Sequence, residues 1–348
     1  DLGAVPGETR LSQREEEQFR EALARDPAFL RESACITTAL ALAGEAGAGH
    51  ALHAADTLMN RLVLWDVRQE LASHPSTVRA VPERLLAGSV RVLSRTIRRL
   101  ASGRDHGLYP TAVEEVLREF YRGTLLTGVW DRMKQGAASA FDPDGRRFGG
   151  TAILEAVSAL MGGGHAHALT LMAHSAGSIF ARRVIEQAVI RLPRDTSIDV
   201  VLLAPAVTFE CLAGMLASTS GRIRRFQIVG LDDAEERRDA LVPGVYPRSL
   251  LYFVSGVLED ETDAPIAGMQ RFHGGRVPLD GPSGRAAGRV LGHVQRGALE
   301  TAWTTVGATA GESFPGNAHR RLERDTTTLD RVAHALTSGM PRELTARD

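Results

Sequence analysis

The chain has 348 residues, of which 43% are hydrophobic and 5% aromatic, and its 41 basic and 42 acidic residues leave a net charge of -1. This balance is typical of a globular protein and excludes extended disorder and collagen-like repetition. Because a charge so close to zero provides no general attraction for polyanions, we expect no nucleic-acid partner.

Membrane insertion and secretion are not expected either. The longest apolar stretch, residues 34–44, contains two threonines and is shorter than the roughly 20 residues that a membrane-spanning helix needs. No basic segment followed by an apolar segment comes after Asp1, and the pair Cys35 and Cys211 makes no disulfide framework. The sequence therefore predicts a cytoplasmic protein without a transmembrane segment.

Residues 1–141 form a predicted helical region without strands. Apolar residues recur at helical spacing in 52–63, 90–100 and 113–121. Ser12 and Thr111 each begin a capping-box pattern, in which a hydroxyl residue stands three positions before an acidic one. We expect a succession of amphipathic helices here.

The composition changes at a turn signal, Asp-Pro-Asp-Gly at 142–145, after which β-rich runs alternate with helical patterns. Strands are predicted at 168–172, 198–203, 225–229 and 250–257, and helices at 153–161, 177–191 and 209–218. This alternation is typical of βαβ units and a parallel sheet. The predicted fold is therefore α/β, with a mainly parallel sheet and flanking helices over 142–348 and a large helical region over 1–141.

The most informative segment is 168–183, ALTLMAHSAGSIFARR, where an apolar run is followed by a small-residue turn at Ser175 and then by a helix. A sharp strand-to-helix turn strains its central residue and requires small residues two positions before and after it. Ala173 and Gly177 meet that requirement. The alternative interpretation is an ordinary turn between a core strand and its helix.

This segment resembles the nucleophile elbow, G-x-S-x-G, of the α/β-hydrolase fold serine hydrolases, with Ala173 in place of the first glycine. The resemblance covers about 130–336 and is strongest to uncharacterised bacterial esterase-like and lipase-like members. It includes residues 133–141, the Leu-Leu-Ala-Pro-Ala segment at 202–206, and residues 246–256. It implies that Ser175 is the nucleophile, that the N–H of Ala176 helps to form the oxyanion hole, and that no metal or organic cofactor is used.

The family's chain order of nucleophile, acid and histidine restricts the general base to the histidines well downstream of Ser175. His334 falls in a predicted helix, whereas His319 lies in a loop of small residues from which an imidazole can project. His319 is therefore the preferred base. His293 and His273 remain alternatives.

Two carboxylate clusters compete for the acid. Asp232 and Asp233 follow the predicted strand 225–229, and Glu259, Asp260 and Asp263 follow the predicted strand 250–257. In the resembling proteins the acid follows the strand after Leu-Leu-Ala-Pro-Ala, which favours Asp233 and then Asp232. Asp260 is the alternative acid from the later cluster. The carboxylates of either cluster can also be interpreted as solvated charges at the end of a strand, without a catalytic role.

The function implied by the resemblance is acyl transfer: a serine hydrolase that cleaves a carboxylic ester or a lipid acyl ester. Family members carry earlier strands and an oxyanion loop before the elbow, and none is predicted in 1–150. Either these strands precede Asp1, which would make the chain a truncated hydrolase, or the helical region replaces them. The alternative function is a truncated or catalytically impaired module that serves as an interaction scaffold.

Two further motifs predict no additional chemistry. The glycines at 162–164 and 281–284 do not continue into the Gly-Lys-Ser/Thr of a phosphate-binding loop. His165 and His167 have no Cys, Asp or Glu at ligand spacing, so no metal site is expected.

Overall fold

The structure is a computed structural model that describes residues 25, 81–121, 125–141, 148–163, 168–219, 221–242, 245–273, 277, 279, 281–295, 300–306 and 333. The chain forms two compact units, Asp1–Leu126 and Thr127–Asp348. The division thus falls 15 residues before the boundary predicted between residues 141 and 142 (141 − 126 = 15). The predicted capping box at Ser12 and the helical pattern at 52–63 lie outside the described residues.

The first unit contains a pair of packed helices, α1 (Val81–Ala101) and α2 (Leu108–Tyr121). Apolar side chains at helical spacing are buried on both helices: Val92, Leu93, Val113 and Val116. The helical patterns predicted at 90–100 and 113–121 are therefore confirmed.

The capping box predicted at Thr111 is wrong. Thr111 lies inside α2, which begins at Leu108, and its hydroxyl accepts a hydrogen bond of 2.9 Å from the N–H of His106 in the preceding turn. The acidic member of the pattern, Glu114, is fully buried, and its Oε1 lies 2.7 Å from Nδ1 of His106. Tertiary contacts thus occupy both side chains that the local pattern assigned to the helix end.

Buried charges link α1 to α2. Arg99, whose side chain is 7% exposed, places Nη2 2.7 Å from Glu114 and Nη1 3.1 Å from Glu115. Closer to the surface, Arg95 contacts Glu115 and Glu119, each at 2.7 Å. Because the two glutamates next to Arg99 are shielded from water, their charges depend on these guanidinium groups for compensation.

The second unit holds an alternation of helices and strands. Its described elements in chain order are α3 (Leu125–Ser139, which begins two residues before the division), α4 (Gly149–Gly162), β1 (Ala168–His174), α5 (Gly177–Arg191), β2 (Ser197–Leu203), α6 (Phe209–Ser218), β3 (Ile223–Leu231), α7 (Asp233–Arg238), α8 (Leu250–Phe253), α9 (Gly281–Gln295) and β4 (Glu300–Val306). The strands at 168–172, 198–203 and 225–229 and the helices at 153–161, 177–191 and 209–218 are thereby confirmed.

The strands form one parallel sheet in the order β1-β2-β3-β4. β2 and β3 are buried almost along their whole length, as expected for strands covered on both faces by helices. In β1, by contrast, exposed residues alternate with half-buried ones. Helix α5 packs on β1 and α9 on α6, so the described region is an α/β fold with a parallel sheet and flanking helices.

The strand predicted at 250–257 is wrong, because this segment is helical. Helix α8 continues directly into one π-helical turn, Val254–Leu258. Ser249 caps the start of α8 by accepting a hydrogen bond from the N–H of Tyr252. A short apolar run rich in aromatic and β-branched residues has the composition of a buried strand, and only the capping serine distinguishes it.

Among the described helices, none combines the length and the apolar character that crossing a bilayer would require.

Candidate functional site

A strained residue joins β1 to α5. Ser175 has a φ of +52°, in the left-handed region, and its side chain is partly exposed. A residue with a Cβ pays about 1–2 kcal/mol there because of crowding with the backbone. The sharp strand-to-helix turn predicted at Ser175 is therefore present, and strain of this kind is concentrated at functional sites.

Hydrogen bonds from two neighbouring segments hold this turn. The N–H of Ser175 donates to the carbonyl oxygen of Leu203 at 2.8 Å, which extends the β1-β2 ladder by one residue. The carbonyl oxygen of Ser175 accepts from the N–H of Ala206 at 3.1 Å and from both the N–H and the hydroxyl of Ser178. The strained conformation is thus fixed by the sheet on one side and by the first turn of α5 on the other.

Ala176 follows the strained residue and caps α5. Its φ and ψ of -59° and -23° are already helical, and its N–H donates to no acceptor within the described ranges. An N–H at the start of a helix carries partial positive charge, which favours a bound anion. The sequence predicts an oxyanion-hole donor at this position.

The steric requirement predicted at Gly177 is not seen. A Cβ added at this position would meet no atom of the described residues within 4 Å, and its φ is not positive. The elbow leaves Gly177 at the exposed start of α5, so the small side chain is not dictated by contact between this strand and its helix.

The loop after β2 lies next to Ser175 and is hydrogen-bonded to it through Ala206. Ala204 repeats the geometry of Ser175, with a φ of +40° and its N–H bonded to the carbonyl oxygen of Val229. Residues 205–209 then pair with residues 265–268, through Gly268 N–H to Pro205 and Ala267 N–H to Val207. Residues 265–273 therefore lie along the edge where β1 to β3 end.

Asp233 is the first residue of α7 and lies two residues after the end of β3. Its Oδ1 accepts a hydrogen bond of 2.6 Å from the hydroxyl of Tyr252, and its Oδ2 lies 2.9 Å from Nε of Arg237. Its N–H donates to Oε1 of Gln270 at 2.8 Å. The carboxylate is thus held at the carboxyl end of β3, the end of a parallel sheet where ligand sites occur.

The two alternative acids have other surroundings. Asp232 caps α7, because its Oδ1 accepts from the N–H of Glu235 at 2.7 Å. Asp260 follows a π-helical turn and not a strand, and it lines a cavity of about 240 Å³ together with Glu259, Glu261 and Cys211. The strand end on which the case for Asp260 depended is therefore absent.

Of the four downstream histidines, the structure describes the side chain of His273. Its Nε2 lies 2.8 Å from the carbonyl oxygen of Ala267, and burial lowers its pKa to about 4. An imidazole that resists protonation to this extent is a weak general base at neutral pH. His319 and His334 lie outside the described residues, and His293 lies near the end of α9.

A buried acid lies behind Asp233. Glu236 is 1% exposed, and its Oε2 accepts a hydrogen bond from the hydroxyl of Ser249. Burial raises the pKa of Glu236 to about 8, and the neighbouring carboxylates Asp239, Asp233 and Asp232 act in the same direction. Glu236 is therefore a neutral carboxylic acid at pH 7.

Three residues of this region carry contacts that the sequence did not predict: Tyr252, Gln270 and Arg271. Arg271 is 3% exposed, and its guanidinium lies 5.5 Å from the centre of the Tyr252 ring. The segment 246–256 carries part of the resemblance. Because residues 250–257 were predicted to be a strand, the contact of Tyr252 with Asp233 was not expected.

Within the described part of the chain, no group of three or more His, Cys, Asp or Glu side chains is arranged to hold a metal ion. Comparisons with protein-family models, with curated proteins and with solved structures found no match to this chain.

Proposed function

We propose that the chain is a serine hydrolase of the α/β-hydrolase type that cleaves a carboxylic ester or an acyl ester. Ser175 is the nucleophile, His319 the general base, Asp233 the acid that orients it, and Ala176 a donor of the oxyanion hole. The observation that carries the proposal is the left-handed φ of Ser175, between a parallel strand and a helix. A strained elbow of this kind exposes a hydroxyl at the end of a strand.

Three features of the surroundings support the proposal. The elbow lies at the carboxyl edge of a parallel sheet, where reactive groups of several strands meet. Ala176 directs its N–H away from any described acceptor. Asp233 lies two residues after the end of β3, the second strand beyond the elbow, and the resemblance implies that the acid follows this strand.

In the proposed reaction, Oγ of Ser175 attacks the ester carbonyl carbon while the imidazole of His319 takes the hydroxyl proton. The negative charge that develops on the carbonyl oxygen is stabilised by the N–H of Ala176. The proton passes to the leaving alcohol as the C–O bond breaks. Water then attacks the acyl-enzyme by the same route and releases a carboxylic acid and free Ser175.

A fluorophosphonate probe tests this proposal, because it forms a covalent bond with an activated serine. We expect labelling of the native chain, complete loss of labelling in Ser175→Ala, and unchanged labelling in Ser218→Ala, a surface serine in α6. Asp233→Asn should slow labelling about 10⁴-fold, because the imidazole then loses its orientation.

Two results would overturn the proposal. The first is labelling that persists in Ser175→Ala, and the second is a folded native chain that remains unlabelled and does not hydrolyse p-nitrophenyl acetate or butyrate. The second result would favour an interaction scaffold, for which apolar side chains exposed on α4, β1 and α5 would supply a surface: Ile153, Leu160, Met172 and Ile190.

A further inference from the structure

The phenol of Tyr252 is aimed at the carboxylate of Asp233. Tyr252 is fully buried in α8, and its hydroxyl lies 2.6 Å from Oδ1 of Asp233, although 19 residues separate them in the chain. A buried tyrosine hydroxyl needs a partner, and a carboxylate oxygen is the strongest acceptor that a protein offers. Burial also raises the pKa of Tyr252, so the phenol remains a hydrogen-bond donor throughout the neutral range.

The ring of Tyr252 is itself fixed. The guanidinium of Arg271 lies 5.5 Å from the ring centre and 5.1 Å from the centre of the Phe272 ring, and its Nη2 lies 3.4 Å from Oδ2 of the buried Asp263. A cation above an aromatic face is attractive, and more so when both are desolvated. The hydroxyl of Tyr252 therefore points at Asp233 from a rigid support.

The remaining contacts of Asp233 complete this arrangement. Gln270, next to Arg271, accepts the N–H of Asp233, and Arg237 contacts Oδ2. Because Tyr252 contacts Oδ1 and Arg237 contacts Oδ2, rotation of the Asp233 carboxylate is restricted. Since an ionised carboxylate can accept about four hydrogen bonds, capacity remains for an imidazole N–H.

We infer that Tyr252 is a positioning residue of the proposed hydrolase: its hydroxyl holds the Asp233 carboxylate in the orientation that receives the N–H of the catalytic histidine. The inference rests on the proposed function. A hydrogen bond to an ionised group is stronger than one between neutral groups, so we expect loss of this hydroxyl to slow the proposed reaction about 10-fold.

A double-mutant cycle on the rate of fluorophosphonate labelling tests this role. We expect Tyr252→Phe to slow labelling about 10-fold when Asp233 is present, and to cause no further loss in the Asp233→Asn background. A residue that only stabilises the fold would cost the same in both backgrounds. Tyr246→Phe is the matched control, because Tyr246 is also buried but packs edge-on against Phe253, and it should label at the native rate.

Each rate is measured well below the unfolding midpoint of that variant. If Tyr252→Phe does not fold, 4-fluorophenylalanine at position 252 replaces it, because it fills the volume of the hydroxyl group without donating to Asp233. Equal losses in the two backgrounds, with labelling still dependent on Ser175, would overturn the role of Tyr252 and leave the hydrolase intact. An unlabelled native chain would overturn both.

Discussion

The N–H of Ala206 donates a hydrogen bond of 3.1 Å to the carbonyl oxygen of Ser175. This bond joins the loop after β2 to the turn after β1, and Ser178 donates to the same oxygen from α5. The carbonyl group of the strained residue is thus anchored by the adjoining helix and by a loop 31 residues further along the chain. These hydrogen bonds offset the conformational strain of the left-handed φ at Ser175. The free energy of that strain can be measured.

Ser175→Gly should be more stable than Ser175→Ala by about 1 kcal/mol. Both variants lack the hydroxyl, but glycine adopts a positive φ without the penalty of about 1–2 kcal/mol that a Cβ incurs, and its greater freedom in the unfolded chain offsets part of that gain. Urea unfolding followed by circular dichroism measures the difference. A glycine variant less stable than the alanine variant by about 0.4–1 kcal/mol, the effect of glycine's freedom in the unfolded chain alone, would show that the turn at position 175 is not strained.

Gly268→Ala should be strongly destabilising. A Cβ at Gly268 would lie 2.6 Å from the carbonyl oxygen of Pro205, so the pairing between residues 205–209 and 265–268 has to open. We expect a loss of about 2–3 kcal/mol in the free energy of unfolding. The matched control is Gly214→Ala in the exposed face of α6, where a Cβ meets nothing within 4 Å and a gain of about 0.5–1 kcal/mol is expected. Similar effects at both glycines would contradict the described close approach.

Glu236→Gln should remove a pH dependence of stability. The pKa of Glu236 is about 8 in the folded chain against 4.5 in the unfolded chain, so its contribution is fully present below pH 4.5 and is lost as the pH rises through 8. Between these values the native chain should lose up to about 1.4 kcal/mol per pH unit from this group. This pH dependence is measured by the denaturant midpoints of the native chain and of Glu236→Gln at pH 5, 6.5 and 8. A difference between the two that stays constant with pH would refute the assignment.

Arg99→Met should destabilise the first unit by about 3–5 kcal/mol, because it leaves the buried carboxylate of Glu114 without its guanidinium and removes one of the two guanidinium partners of Glu115. Arg98→Met is the control on the same helix, since Arg98 is exposed and its Nε contacts the carbonyl oxygen of Ser94 at 3.4 Å. We expect a change of less than about 0.5 kcal/mol there. Thermal unfolding of both variants checks the contrast.

The sequence was sufficient for the parts of the fold that local pattern determines. β2 and β3 each contain an apolar core rich in Val, Ile and Leu, of the length of a strand, and helical patterns separate the strands, so their order and the parallel sheet follow. The turn at Ser175 was also predictable, because an apolar strand pattern changes there directly into a helical one, although the steric requirement for a small residue at Gly177 was not found. These features depend on residues close together in the chain.

Contacts between distant segments were not predictable. Residues 250–257 have a strand-like composition, but Ser249 and the buried environment select a helix, which turns Tyr252 toward Asp233. No local pattern indicates that Gln270 accepts the N–H of Asp233 across 37 residues. β4 (Glu300–Val306) was not predicted either, although its Thr, Trp and Val content is typical of strands. The sequence thus singled out Asp233 as a candidate acid, and it did not indicate the partners that the structure gives this carboxylate.

The two adjacent amides at the elbow should differ in how fast they exchange with deuterium. The amide of Ser175 is part of the ladder with Leu203, so it exchanges only when β1 separates from β2. The amide of Ala176, which has no described acceptor, needs no such opening. The exchange rate of the Ser175 amide therefore reports on the pairing of β1 with β2, and that of the Ala176 amide reports on solvent access to the start of α5. An inhibitor bound to the proposed site would slow exchange at the Ala176 amide and leave exchange at the Ser175 amide unchanged.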